Sequence, residues 1–203
     1  MPNSTLSQHA NDALRAYLGQ RFPDEGARLQ ALTQQLFDAT GDIFCRSNMR
    51  GHITTSALLV DVDAGQVLLI HHKTLDRWLQ PGGHFEASDA VDPLLASAMR
   101  EAAEETGITD LRPHPQWLAA DSGLALPFDI DSHPIPANPR KQEGAHWHHD
   151  YVYLLLADSA QRLNPQIAEV HAAAWVPLAH LASLPDARMR LLGAKLSTEL
   201  RLQ

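Results

Sequence analysis

One stretch of this chain constrains it more than any other. Asp92 is a good helix N-cap, Pro93 suits the first helical position and Gly107 suits the position just past the end, so the sequence predicts a helix over Pro93–Thr106. On that helix Glu101, Glu104 and Glu105 are related by three and four positions, and their carboxylates crowd onto one face. Like charges so placed cost a few tenths of a kcal/mol per pair, roughly. A solvated acidic stripe tolerates that cost. The context favours another reading, because alanines occupy the neighbouring positions and Pro81-Gly82-Gly83, which lets a backbone carbonyl approach an ion, precedes the helix. A hard divalent cation with oxygen ligands would turn the repulsion into coordination.

Around this helix the periodicity is mixed. Leu6, Ala10, Leu14, Tyr17 and Leu18 recur at helical spacing before Gly19 and Pro23, and Leu29, Leu32, Leu36 and Phe37 form a second stripe ending near Gly41. This helical pair, residues 1–48, is expected to be an extension that packs on the main domain or on another subunit. From Gly51 the pattern turns to strand: Ile53–Val62 and Gln66–His71 flank the turn-forming Asp63-Ala64-Gly65 and predict a hairpin. Leu111–Ala120 is expected as a strand, Pro127–Lys141 as part extended and part loop, His148–Leu156 and Ala173–Pro177 as strands, and Arg188–Leu200 as a closing helix. Strands and helices mix without regular alternation, which predicts an α/β protein with a mixed sheet between helical layers over residues 49–203.

Composition narrows the function classes. The 203 residues carry 24 acidic against 16 basic side chains, a formal charge of −8, which argues against a duplex nucleic acid partner. The lone Cys45 cannot close an intrachain disulfide, no Cys-x-x-Cys offers a zinc site, and neither a signal peptide nor a membrane-length apolar run is visible. A cytoplasmic protein without membrane contact is expected. The acidic excess needs an explanation if the substrate is an anion.

Pro81-Gly82-Gly83-His84-Phe85-Glu86, followed by Arg100-Glu101-Ala102-Ala103-Glu104-Glu105-Thr106-Gly107-Ile108, resembles the Nudix box, G-x5-E-x7-R-E-U-x-E-E-x-G-U with U apolar. The second half matches at every defined position. The first half departs: Gly83–Ile108 is three residues longer than the family's box, so either Asp89 or Asp92 stands where the box has its first glutamate. The resemblance spans about Gly51 to Leu184. It is strongest to a bacterial subgroup with Gly-His-Ile-Thr before the first strand, Gly-Gly-His before the box and His-x-His-x-Asp entering a later strand.

The resemblance implies a Nudix-type α/β/α sandwich and a metal-dependent hydrolase that cleaves a diphosphate linkage by attack of water on phosphorus. Its substrate would be a small phosphorylated metabolite, usually nucleoside-linked. Glu101, Glu104 and Glu105 would hold Mg2+ or Mn2+, with the Gly83 carbonyl as a backbone ligand. Arg100 would orient a glutamate through a charge-assisted bond. The general base would be Glu105, Glu143 or Glu169. An acidic site then meets an acidic substrate through the cation between them.

Histidines form a second feature. His146, His148 and Asp150 alternate and share one face of an extended chain, as do Asp129, Asp131 and His133. With His84 and Glu86 beside the box, they form a substrate-binding rim or an additional transition-metal site, or else are polar residues at strand ends. Trp78 and Leu79 are expected under the glycine loop, Trp147 in the core, and Lys73, Arg77, Arg140 and Lys141 either at phosphates or on a solvated surface. Two alternatives are a catalytically silent ligand-sensing module and an isomerase on the same fold, the latter needing a reactive cysteine. Family members are often homodimers, and the sequence leaves the oligomeric state open.

Overall fold

The computed structural model describes residues 2–200 apart from 40, 89, 121, 140, 141, 167 and 169, and the side chains from residue 5 onward. Asp89, Glu169, Arg140 and Lys141 therefore lie outside the described residues. The elements run α1 (Pro2–Gln20), a 3-10 segment (Pro23–Leu29), α2 (Gln30–Asp38), β1 (His52–Asp61), β2 (Gln66–His72), β3 (Arg77–Leu79), β4 (Gly82–His84), α3 (Pro93–Thr106), β5 (Arg112–Pro113), β6 (Asp129–Ile135), β7 (His146–Leu156), β8 (Val170–Pro177) and α4 (Ala187–Glu199).

One mixed sheet holds all eight strands. Its centre is a parallel pair, β1 with β7, in unbroken register from His52 opposite His148 to Val60 opposite Leu156. The remaining pairings are antiparallel: β2 and β4 on β1, β5 and β6 on β7, and β3 and β8 on β2. Alternation along β1 feeds two cores. Ile53, Ala57 and Leu59 join Leu94, Ala98 and Ala102 of α3 and Ala10, Leu14, Tyr17, Leu29 and Leu32 of the N-terminal helices. Leu58 and Val60 face Met189, Leu192 and Leu196 of α4. The result is the expected α/β/α sandwich, with the helical pair on the same sheet face as α3; Tyr151 Oη donates to the Ala10 carbonyl at 3.0 Å.

The ends of α3 follow the local chemistry. Asp92 accepts from the Leu95 N–H at 3.1 Å, a cap worth about 1 kcal/mol, and also contacts His9 Nε2 of α1 at 3.1 Å. Gly107 closes the helix at φ 80°. Three expectations fail. Leu111–Ala120 is not a continuous strand: Arg112–Pro113 pairs with β7, Leu118 makes a single bridge to Ala125, and between them Pro115 starts a 3-10 turn through Trp117, because prolines 113 and 115 carry no N–H for a ladder. Phe37 is 84% exposed at the end of α2, whereas Leu29 and Leu32 do the burying. Trp147 is 38% exposed, since the start of β7 runs past the core.

His149 points to the α2 side and is fully buried. Gln35 donates its amide N–H to the Gly51 carbonyl at 2.7 Å, so its oxygen is left to accept from His149 Nε2 at 3.2 Å. His149 Nδ1 meets Ser132 Oγ at 2.8 Å. Burial, with the fields of His133, His52 and Arg50, pushes this imidazole down to about 4. Below the ordinary histidine value of about 6.5 the unfolded chain takes a proton that the folded chain refuses. Stability is thus expected to fall as pH drops from about 6.5 to about 4, by at most about 1.4 kcal/mol per pH unit from this group. Chemical denaturation of chelator-treated protein across that range measures the slope, and His149→Gln should flatten it; an identical slope in the variant would remove His149 as its source.

Candidate active site

Two glycines bring α3 onto the sheet. In β4, Gly82 and Gly83 pair with Ser56 and Thr55 of β1. A Cβ on Gly83 would lie 2.6–2.7 Å from the three atoms of the Glu101 carboxylate, so the missing side chain is what admits that carboxylate against the strand. Glu105 accepts from the Gly82 N–H at 2.8 Å. Both glutamates are buried, whereas Glu104 is exposed. Arg100 ties the group together: it donates to Glu101 Oε1 at 2.7 Å, Glu104 Oε2 at 2.8 Å and the His84 carbonyl at 3.1 Å. Glu86 is exposed and approaches Arg100 Nε at 3.6 Å.

On the other side of the glycine pair opens a cavity of about 560 Å³. Gly82, Gly83 and Glu105 form one part of its wall; His84, His133, His148 and Asp150 form another. Arg46, Lys73, Arg77 and Arg188 also line it, together with Asp131 and Asp186. Asp150 lies at its floor, held by Thr54 Oγ1 at 3.1 Å and Ser56 Oγ at 2.6 Å. Burial pushes its carboxyl above the usual carboxylate range.

Five imidazoles gather beside this floor. Ring centroids of His52 lie 4.7 Å from His148, 4.9 Å from His146 and 5.2 Å from His84, and His133 is 5.8 Å from His148. Burial, reinforced by the surrounding imidazoles, pushes His148 down to about 2, and burial lowers His52 as well. His52 and His148 are therefore neutral at neutral pH.

Asp129 and Asp131, on the same strip as His133, serve a different purpose. Asp129 is fully buried and receives Arg28, Arg188, Lys195 and Tyr17. The His133 contact at 2.8 Å and the Arg188 and Arg28 charges overcome burial and bring Asp131 down to about 2. Glu143 pairs with Arg46 at 3.1 Å. Trp78 sits in β3, edge-on to His71 at 5.2 Å.

The sequence reading missed four residues of this region: His52, Thr54, Ser56 and Arg188. A signal for the first three exists, since they are polar at every second position of β1 and so share one face of the strand. Arg188 carries none, because only the docking of α4 brings it to the cavity.

The sheet, the helix and the glycine loop define the Nudix hydrolase class. The family model described as NUDIX domain matches residues 51–196, and the chain belongs to the Nudix family. No curated protein sequence matches it significantly. Among solved structures it is similar to a NUDIX-family hydrolase from Clostridium perfringens, at 23% identity over 75% of this chain and 99% of that one, with a TM-score of 0.54. It is also similar to a C. elegans Ap4A hydrolase, at 18% identity, 73% and 97% coverage and a TM-score of 0.51. The E. coli dihydroneopterin triphosphate pyrophosphohydrolase gives 16% identity, 72% and 95% coverage and a TM-score of 0.52. Identities this low establish a shared fold and leave the substrate open.

The contact at Gly83 makes a prediction. Gly83→Ala should displace the Glu101 carboxylate, which can swing, and so cost only about 1 kcal/mol of stability. Manganese affinity, read by electron paramagnetic resonance, should fall about 10-fold or more. Unaltered affinity would show that Glu101 does not need its place against the glycine loop.

Proposed function

We propose that this chain is a metal-dependent hydrolase that cleaves a diphosphate linkage in a nucleoside-diphosphate-linked or related small phosphorylated metabolite. The observation that carries this reading is the meeting, at Gly82-Gly83, of the α3 carboxylate cluster, through Glu105, with a cavity whose lining includes Arg46, Lys73, Arg77 and Arg188. The donor set is made of hard oxygens, which suits Mg2+ or Mn2+ and not a soft ion. Glu101, Glu104 and Glu105, with the Gly83 carbonyl, would hold the ion, which supplies charge neutralisation at phosphate oxygens and activation of water.

The chain's own groups do the rest. Arg100 positions Glu101 and Glu104 through its two terminal guanidinium nitrogens. Arg188, Lys73 and Arg77 lie on the cavity wall, where they draw the anionic substrate in and oppose its charge. Of the base candidates, Glu105 is the described one whose side chain reaches the cavity, and we assign proton abstraction to it. Cys45 is exposed, contacts Ser47 and lies outside the cavity lining, which gives no support to isomerase chemistry.

The test is a panel of nucleotide sugars, dinucleotides and nucleoside triphosphates, each with and without Mg2+ or Mn2+. Product should form only with the metal, and Glu104→Gln should lower turnover by about 100-fold or more. A shift in melting temperature without product from any compound would instead support a ligand-sensing module. Full activity of Glu104→Gln would remove this carboxylate from the mechanism.

A further inference from the structure

We propose that His52, His146 and His148 form a second metal site, selective for a borderline transition ion of the zinc class and separate from the carboxylates of α3. Each residue offers one ring nitrogen, and these atoms all lie within 4.8 Å of one another. His146 Nε2 and His148 Nε2 are 3.2 Å apart. Two nitrogens bound at about 2.0–2.1 Å to one tetrahedral ion stand about 3.3 Å apart, so this pair is already at ligand spacing.

The tautomers of His146 and His52 agree with that use. His146 Nδ1 lies 2.8 Å from the Gly144 carbonyl, which can only accept, so the proton sits on Nδ1 and the Nε2 lone pair faces the cluster. His52 Nδ1 faces the Asn48 carbonyl at 3.4 Å, a longer contact of the same sense. Imidazoles that ligate metals commonly anchor their other nitrogen on a carbonyl in this way. His52 is 1% exposed, and its Nε2 is buried with no hydrogen-bond partner among the described residues. A buried nitrogen left unsatisfied costs about 1–3 kcal/mol, and a metal ion would recover it.

Backbone register makes the triad. His52 is opposite His148 in the parallel β1–β7 ladder, and His146 is two residues earlier on the same face. Of the three, His148 alone lines the cavity, so the ion sits at the cavity wall, with water or a phosphoryl oxygen as the external ligand available from that side. An all-imidazole donor set rejects Mg2+ and favours Zn2+, Co2+ or Ni2+.

The test uses tag-free, full-length protein stripped by a chelator and titrated with Co2+, in the presence of excess Mg2+. The expected result is one tight equivalent per chain, with the strong visible absorption of a four-coordinate nitrogen-ligated site, displaced by Zn2+. His146→Asn and His52→Asn should each abolish the signal, and circular dichroism confirms that they fold. His71→Asn should retain it, which separates the triad from the group formed by His71 with the exposed Asp76 and His171. Glu104→Gln should also retain it, so loss of hydrolysis and loss of this site are read independently. Absence of the cobalt signal in the parent protein overturns the proposal without recourse to any variant, as does a signal lost with His71 and kept without His146.

Discussion

The parallel register of β1 against β7 is the constraint on which the rest depends. It sets His52 beside His148 and Thr54 beside Asp150, and two residues further on it sets Ser56 beside Val152. Side chains alternate with a period of two, so a slip of one position would carry His52, Thr54 and Ser56 to the α3 face and bring Ile53 and Ala57 into the cavity. Both cores would invert together. Register is held by nine successive residue pairs and by burial on both faces, since His52–Val60 is buried throughout.

A second constraint anchors the helical layers to that sheet. Asp129 on β6, with no solvent exposure, gathers Arg28 from the 3-10 segment and Arg188 and Lys195 from α4. Glu25 answers Arg28 and Lys195 from the other side, and Tyr17 of α1 donates to Asp129 at 3.0 Å. Such a buried network contributes little net stability compared with an apolar replacement, yet loss of one member leaves charges uncompensated at a cost of about 3–5 kcal/mol. Its consequence is geometric. The N-terminal and C-terminal segments are clamped to one strand beside the cavity, and Arg188 is held facing it.

What the sequence disclosed followed the range of the interactions. The α3 helix was legible to its ends, since Asp92, Pro93 and Gly107 act within a turn of the residues they cap. The hairpin of β1 and β2 was legible for the same reason. The α3 carboxylates were legible as a group because a helix brings them together without help. His146 and His148 were visible as a strip, but their partner His52 is brought in by a strand pairing across nearly half the chain, and no local pattern reports that. Arg188 was hidden for the same cause. Leu111–Ala120 misled because apolar content suggested a strand, and the prolines that forbid a ladder outweighed it. Phe37 and Trp147 misled because periodicity assigns a face to each residue and cannot tell where an element runs beyond its core.

The glycine pair of β4 links the two halves of the site. A Cβ at Gly82 would come within 2.3 Å of Ser56 Cβ and 2.7 Å of Ser56 Cα, and that contact is close to the backbone, so no rotamer change relieves it. At Gly83 the obstacle would be the end of a movable glutamate. The first glycine thus fixes how closely β4 approaches β1, which sets His84 opposite Thr54. The second fixes how closely α3 approaches β4. With no side chains in between, Glu105 on one face of the sheet and His84 on the other open onto the same cavity. The α3 carboxylates and the imidazoles are therefore kept on opposite faces, a few residues apart. Such a division would let one cavity present the proposed hard-ion site and the proposed imidazole site without either donor set diluting the other's preference.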